Sequence, residues 1–452
     1  MKVLRFDGLL QKKGWMSPAY IRINAAGQII SISAHGPTNV DEIVPGWALP
    51  TVTNAHSHAF QYAMPLLAED SKFAATDFWH WRHAMYALAN KINPDQLECV
   101  AKRVYAEMLR VGYGWVIEFH YLHHDHKGQA YCNPAEMSER LIHAATEVGM
   151  GITLVPVFYK NSNFHTQALQ AQRRFIFDGL DSYLKLLEGL TTRTSGLEKV
   201  KIGCGVHSMR AADMSDIIYL MNQQQGPKHL HIAEQAKEVD DCLTALGARP
   251  VQWLCEHVNV NESINLIHAI HINSSELNQL LSAKANVVLC PSTEAYLGDG
   301  LFPLSSYVLG HGRWCIGSDS HIRLNPFEEL RWLDYCQRLV HEHCIPFCNT
   351  QTMYPVAYAF EQVISNGRLA AGIKTDDYFA QDQALDCLVF SSTSCLLDTI
   401  NLEHLLSTLI YRSDCHDLLG TLISGQWQIT NQNHPDTEHI ESAFKKTMLE
   451  LR

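Results

Sequence analysis

The chain has 452 residues, 46% of them hydrophobic, and a formal net charge of −12. That content is ample for a large core, and no long basic run offsets the acidity, which argues against nucleic acid and anionic membrane surfaces as partners. No apolar run is long enough to span a membrane, residues 1–7 lack an apolar signal core, and 13 scattered cysteines without a Cys-x-x-Cys pair fit free thiols in a reducing cytoplasm.

Residues 1–46 carry short strand patterns. Positions 20–24 alternate, 25–28 turn and 29–32 follow, which is a hairpin signature. Similar patterns return near the end, at 385–390, 420–423 and 426–429. Segments 1–48 and 381–452 are therefore expected to pair into one small β-sandwich domain. The middle, 49–380, reads differently. Eight short apolar strands recur at 49–54, 115–119, 152–157, 200–206, 229–232, 264–268, 287–290 and 314–318. Helical patterns such as 96–111, 134–148 and 276–283 separate them. Asn325-Pro326-Phe327-Glu328 has the residue types of a capped helix start. Eightfold strand–helix alternation predicts an α/β fold, a (β/α)8 TIM-like barrel. Periodicity alone is also compatible with an open doubly wound sheet. No internal repeat, low-complexity segment or glycine-rich phosphate loop interrupts the pattern.

The chemistry-bearing residues cluster at strand ends. His56 and His58 follow the first strand in Thr53-Asn54-Ala55-His56-Ser57-His58. A strand has a side-chain period of two, so both imidazoles point the same way. Alone, the pair fits a polar turn as well as half of a metal site. Further on, Glu118, His120 and Tyr121 close the second strand, and His207 and Arg210 follow the fourth. His231 and Glu234 end the fifth, His268 the sixth and Asp319 the eighth. Barrel enzymes build their sites on this face. A catalytic zinc takes about three protein ligands and keeps a position for water. His56, His58, His231 and Asp319 offer three nitrogens and one oxygen. Glu234, three residues past His231, is placed to shuttle a proton, and His268 to hydrogen-bond a tetrahedral intermediate.

The segments NAHSH, HIAEQ, LIHAIH and IGSDS after successive strands resemble the amidohydrolase superfamily. HSHAFQ, FWHWRHAMY, EFHYLHHD, HSMRA, STEAYLGDG and GSDSHIRLNPFEELRW are closer still to its formimidoylglutamate deiminases, over roughly 47–335. The resemblance implies one zinc per chain on His56, His58, His231 and Asp319; iron(II) accepts the same ligands. It requires no carboxylated lysine, and Lys201 receives no role. It implies Glu234 as general acid and base with His268 assisting, and Gln61, Arg82, Tyr121, His207 and Arg210 as substrate-binding residues. It further implies a homodimer acting in histidine degradation. There, metal-bound hydroxide attacks the amidine carbon of N-formimino-L-glutamate, leaving N-formyl-L-glutamate and ammonia. Arginines suit the two carboxylates of that small anionic amidine. A superfamily deaminase acting on a heterocycle such as a purine is the rival reading; it calls for aromatic stacking and fewer carboxylate clamps. The sequence departs from the pattern at Ala384-Leu385-Asp386-Cys387, and at Tyr62 where a basic residue is common. Two further clusters have ligand types. His123-His124-Asp125-His126 is expected to be a solvated loop. His341-Glu342-His343-Cys344 with Cys348 is expected to be helix-end surface.

Overall fold

The computed structural model describes residues 1–64, 78–342, 347–348, 354–375 and 377–452, apart from the side chains of 78–80 and 415. The expected barrel is present. Its strands are Val52–Ser57, Tyr113–His120, Gly151–Phe158, Cys204–Ser208, Lys228–Ile232, Ile264–His268, Asn286–Leu289 and Arg313–Ile316. They pair in parallel and in sequence order. That order has no reversal point, unlike a doubly wound sheet. The first and last strands are laced by a parallel bridge between Ser57 and Asp319. Asp319 N and Ser318 N both donate to His56 O, and His58 N donates to Asp319 O. A nearly closed barrel results. Its strands are buried along almost their whole length, as expected where helices cover the outside and side chains fill the inside.

Two strand readings shift. Leu49 and Pro50 do not open the barrel; they end the strand Glu42–Pro50 and pair with Leu388 and Cys387. The apolar run from 47 to 54 conceals a change of partner at Thr51. The fourth strand divides at Gly203 into Val200–Ile202 and Cys204–Ser208. A Cβ at Gly203 would sit 2.9 Å from Val155 Cγ2 and 3.0 Å from Pro227 O, so only glycine fits without displacement.

Both ends of the chain enter one eight-stranded sheet. Its order is Gln426–Thr430, Leu418–Ile423, Cys387–Ser391, Glu42–Pro50, Lys2–Gln11, Ala19–Ile23 and Ile29–Ser33, with Gly14–Met16 on the edge of Lys2–Gln11. The expected hairpin is its antiparallel Ala19–Ile23 and Ile29–Ser33 pair. The C-terminal part is not all strand. Leu402–Arg412 and Thr437–Leu451 are helices, the first burying Leu405, Leu406, Leu409 and Ile410 at helical spacing. No helix among the described residues is long and apolar enough to cross a membrane.

Candidate active site

The six strand ends singled out above converge at one mouth of the barrel. His56 and His58 lie at the end of the first strand. His58 Nδ1 donates to Phe119 O at 2.8 Å, which leaves its Nε2 lone pair facing the barrel axis. Asp319 Oδ1 lies 3.4 Å from His56 Nε2 and 3.3 Å from His58 Nε2. His56 Nε2 and His231 Nε2 are 3.0 Å apart. Burial pushes the His56 imidazole down to about 3 and His231 well below the usual histidine range, so both rings are neutral. Burial disfavours the Asp319 carboxylate, yet the His56 and His58 rings that face it outweigh burial and hold Asp319 well below its usual range.

Imidazole nitrogens that close together, faced by a buried carboxylate, form a donor cluster of the kind that holds a divalent cation. His56, His58 and His231 offer donor atoms within 4.8 Å of one another, as do His56, His268 and Asp319. The donor set of three nitrogens and one oxygen fits a zinc-like divalent ion.

Glu234 follows the fifth strand through Ala233, whose φ of 50° is left-handed. His268 and Asp319 also have positive φ, 71° and 47°. For residues other than glycine such backbone costs about 1–2 kcal/mol each, and it persists where surrounding contacts over-determine it. His268 Nε2 is 4.0 Å from both Glu234 Oε1 and Asp319 Oδ2. Its Nδ1 faces Glu294 Oε1 at 3.1 Å, and that oxygen also accepts from Cys290 N. Burial alone would lower the His268 imidazole, but Glu234, Glu294 and Asp319 carry it up to about 10. Burial raises the Glu234 carboxyl and Asp319 adds to that, while His268 opposes.

Above this centre lies a pocket that opens to solvent. Every residue expected to bind substrate lines it: Gln61, Arg82, Tyr121, His207 and Arg210. Gln61 Nε2 donates to Tyr121 Oη at 2.7 Å, while Gln61 Oε1 is buried without a hydrogen-bond partner among the described residues. Arg82 comes from the helix Phe78–Ala89 and donates from Nε to Tyr86 Oη at 2.6 Å. Its guanidinium lies 5.3 Å from the Tyr86 ring centroid. His207 packs its ring 4.5 Å from Tyr159 and 5.1 Å from His231.

Sequence reading missed several residues that build this site. Tyr86, Tyr159 and Phe175 supply aromatic wall to the cavity, and no spacing rule marks them. Glu118 stood only as a strand-end acid. It accepts from Ala59 N and Ser57 Oγ at 2.6 and 2.7 Å, and from Tyr105 Oη at 3.0 Å, which pins the His56–His58 turn. Asn54 clamps the barrel seam, donating to Ser318 Oγ at 2.7 Å and accepting from Ser318 N at 3.0 Å. A Cβ on Gly317 would lie 2.7 Å from both Cβ and N of His56. Gly317→Ala therefore destabilises the fold by about 1–3 kcal/mol, the usual range for overpacking, and lowers metal content. Urea unfolding and metal analysis check both.

The other clusters do not form ligand sets among the described residues. His123 is buried, not solvated, and donates from Nε2 to Val157 O at 3.1 Å. His124 and His126 each bond a backbone carbonyl, and Asp125 caps a turn. The pattern of adjacent polar letters concealed which rings point into the core. In the second cluster, His343 and Cys344 lie outside the described residues, so that reading stands as it was. His120 packs against His123, away from the cavity. Tyr62 stacks near Phe444 of the C-terminal helix, with ring centroids 5.8 Å apart.

Known proteins resemble this chain in sequence and fold. A family model described as the amidohydrolase family matches residues 47–355. The chain belongs to the amidohydrolase family. Within it, the chain is 36% identical over its whole length, and that of its relative, to a formimidoylglutamate deiminase of Pseudomonas aeruginosa. It is 26% identical to an 8-oxoguanine deaminase of the same organism over 64% of each chain. Among solved structures, an amidohydrolase from Brucella melitensis superposes with a TM-score of 0.93 at 35% identity, covering both chains fully. An adenosine deaminase from Xanthomonas campestris with bound zinc superposes at 0.82 and 17% identity, covering 100% of this chain and 98% of its own, a likeness of fold. Amidohydrolase membership and the full-length relative support a hydrolytic deiminase.

Proposed function

We propose that this amidohydrolase hydrolyses N-formimino-L-glutamate to N-formyl-L-glutamate and ammonia, a step of histidine degradation. The observation that carries the reading is the shared cavity. Arg82 and Arg210 line the same pocket as His58, His231, Asp319 and Glu234, so two carboxylate clamps face one hydrolytic centre. The substrate carries an amidine and two carboxylates, and planar guanidinium groups match carboxylates bidentately. In an acidic chain such cations are needed locally.

His56, His58, His231 and Asp319 would hold one zinc ion. When bound, the ion supplies a Lewis acid that makes water nucleophilic near neutral pH. The remaining work falls to the chain. Arg82 and Arg210 fix the carboxylates, so the amidine carbon is presented toward Glu234. Gln61 Oε1 is a buried acceptor that an amidine N–H would satisfy. Glu234 Oε1 takes a proton from the attacking water and returns it to the departing nitrogen. His268, held through Nδ1 by Glu294, hydrogen-bonds the tetrahedral centre from its other edge. The C–N bond to the terminal nitrogen breaks and ammonia leaves.

Ammonia release from N-formimino-L-glutamate is expected to be fast, and from guanine or adenosine negligible; the reverse result sinks the reading. Product analysis is expected to find formylglutamate and ammonia rather than glutamate and formamide. Arg82→Met and Arg210→Met each remove a charge-assisted contact, and KM is expected to rise about 10- to 100-fold, with kcat changing less. Unchanged KM in both variants would remove the arginines from substrate binding.

A further inference from the structure

The turn that carries Glu234 is held from behind by a second carboxylate. Glu238 sits in the first turn of the helix Ala236–Leu246 and is 3% exposed. Its Oε2 accepts the backbone N–H of Glu234 at 3.2 Å. The same oxygen lies 3.7 Å from Nη1 of Arg210. Its Oε1 is buried without a hydrogen-bond partner among the described residues. Arg210 comes from a different element, the single turn Met209–Ala211 behind the fourth barrel strand. Arg210 lines both the reaction cavity and a second pocket, which Glu238 also lines.

An acid at this position of a helix commonly caps free N–H groups. Capping explains the bond to Glu234 N. It does not explain why a buried carboxyl group faces the arginine that lines the substrate cavity, since burying a polar or charged group is expensive unless it is paired. We infer that Glu238 is a positioning residue that ties the backbone of the base Glu234 to the carboxylate clamp Arg210. The inference rests on the roles given to those two residues above. An arginine side chain has many rotamers, and ordering it on binding costs about 0.5–1.5 kcal/mol. A fixed buried carboxylate orders it beforehand and leaves its remaining N–H groups for the substrate. The same carboxylate holds the left-handed turn at Ala233, which sets where Glu234 Oε1 points.

The test is a variant cycle of Glu238→Ala, Glu238→Gln, Arg210→Met and the double Glu238→Ala/Arg210→Met, read as kcat, KM and Tm. Glu238→Ala raises KM for N-formimino-L-glutamate about tenfold, the size of the lost ordering of Arg210, and lowers kcat as well. Glu238→Gln keeps an acceptor for Glu234 N and Arg210 and recovers most of both. Adding Glu238→Ala to Arg210→Met raises KM no further. A purely capping role predicts a lower Tm with KM unchanged; that result overturns the assignment, and so does a KM penalty that persists in full when Arg210 is already Met. Glu238→Asp keeps the charge at the helix start but shortens the arm. It covers the case in which the alanine variant does not fold, and an unchanged KM there also overturns it. Calorimetric affinity for the dicarboxylate N-formyl-L-glutamate follows the same cycle without turnover. A wild type that binds this probe but releases no ammonia fails the proposed function alone. A wild type that turns over, with additive variants, fails the Glu238 assignment alone.

Discussion

Glu234→Gln is expected to lower kcat for ammonia release about a thousandfold, within the 10²–10⁴ range of general acid–base catalysis. The carboxamide keeps the shape of the side chain but can neither take the proton of water nor return it to nitrogen. Fold and metal content should be untouched. Glu234 is buried, and burial disfavours its charged form, so a neutral isostere leaves Tm equal or raised. KM should change little, since Arg82 and Arg210 hold the carboxylates. Steady-state kinetics beside metal analysis and a melting curve check all of this. A variant as active as wild type would remove Glu234 from its role. A variant that loses its metal would show that the carboxylate is a ligand and not a proton carrier.

The second large effect is expected on removing a donor from the cation cage. Wild type should purify with close to one zinc per chain. His231→Ala and Asp319→Ala should retain little of it and lose about a thousandfold in kcat/KM, the equivalent of about 4 kcal/mol of transition-state stabilisation. The two losses differ in kind. His231→Ala removes one of two nitrogens that stand 3.0 Å apart. Asp319→Ala removes the carboxylate shared by His56 and His58, which leaves three imidazoles and no anion to balance a divalent charge. Chelation of wild type should abolish ammonia release, and added zinc should restore it; neither variant should recover. Activity that survives complete chelation would reject a metal-dependent reaction.

The strands and the candidate cation cluster were legible because each leaves a local mark. Apolar runs of strand length separated by helical segments announce an α/β fold, and the eight strands are all found, with their order and closure decided by the structure. His56 and His58 stand two apart, so any strand end would align them. His231, His268 and Asp319 each terminate an apolar run. Their convergence follows from barrel topology, which places all strand C-termini on one rim. The residues lining the pocket had a weaker mark. Arg82 was singled out within an aromatic stretch, but its partner proved to be Tyr86, one helical turn on.

What stayed hidden depends on contacts between residues far apart in the chain. Glu118 and Glu238 carry no spacing signature, because their partners are set by how strands and turns pack. Asn54 and Ser318 are 264 positions apart and seal the barrel together. The burial of His123 likewise depends on Val157, a strand away. Side-chain period and strand order are written into neighbouring residues, and they marked the barrel strands and the strand-end residues that the structure brings together. Orientation is not local. Which rings are neutral, which acid is held by which donor, and which arginine faces a cavity are consequences of burial and of partners that only the closed barrel brings within reach.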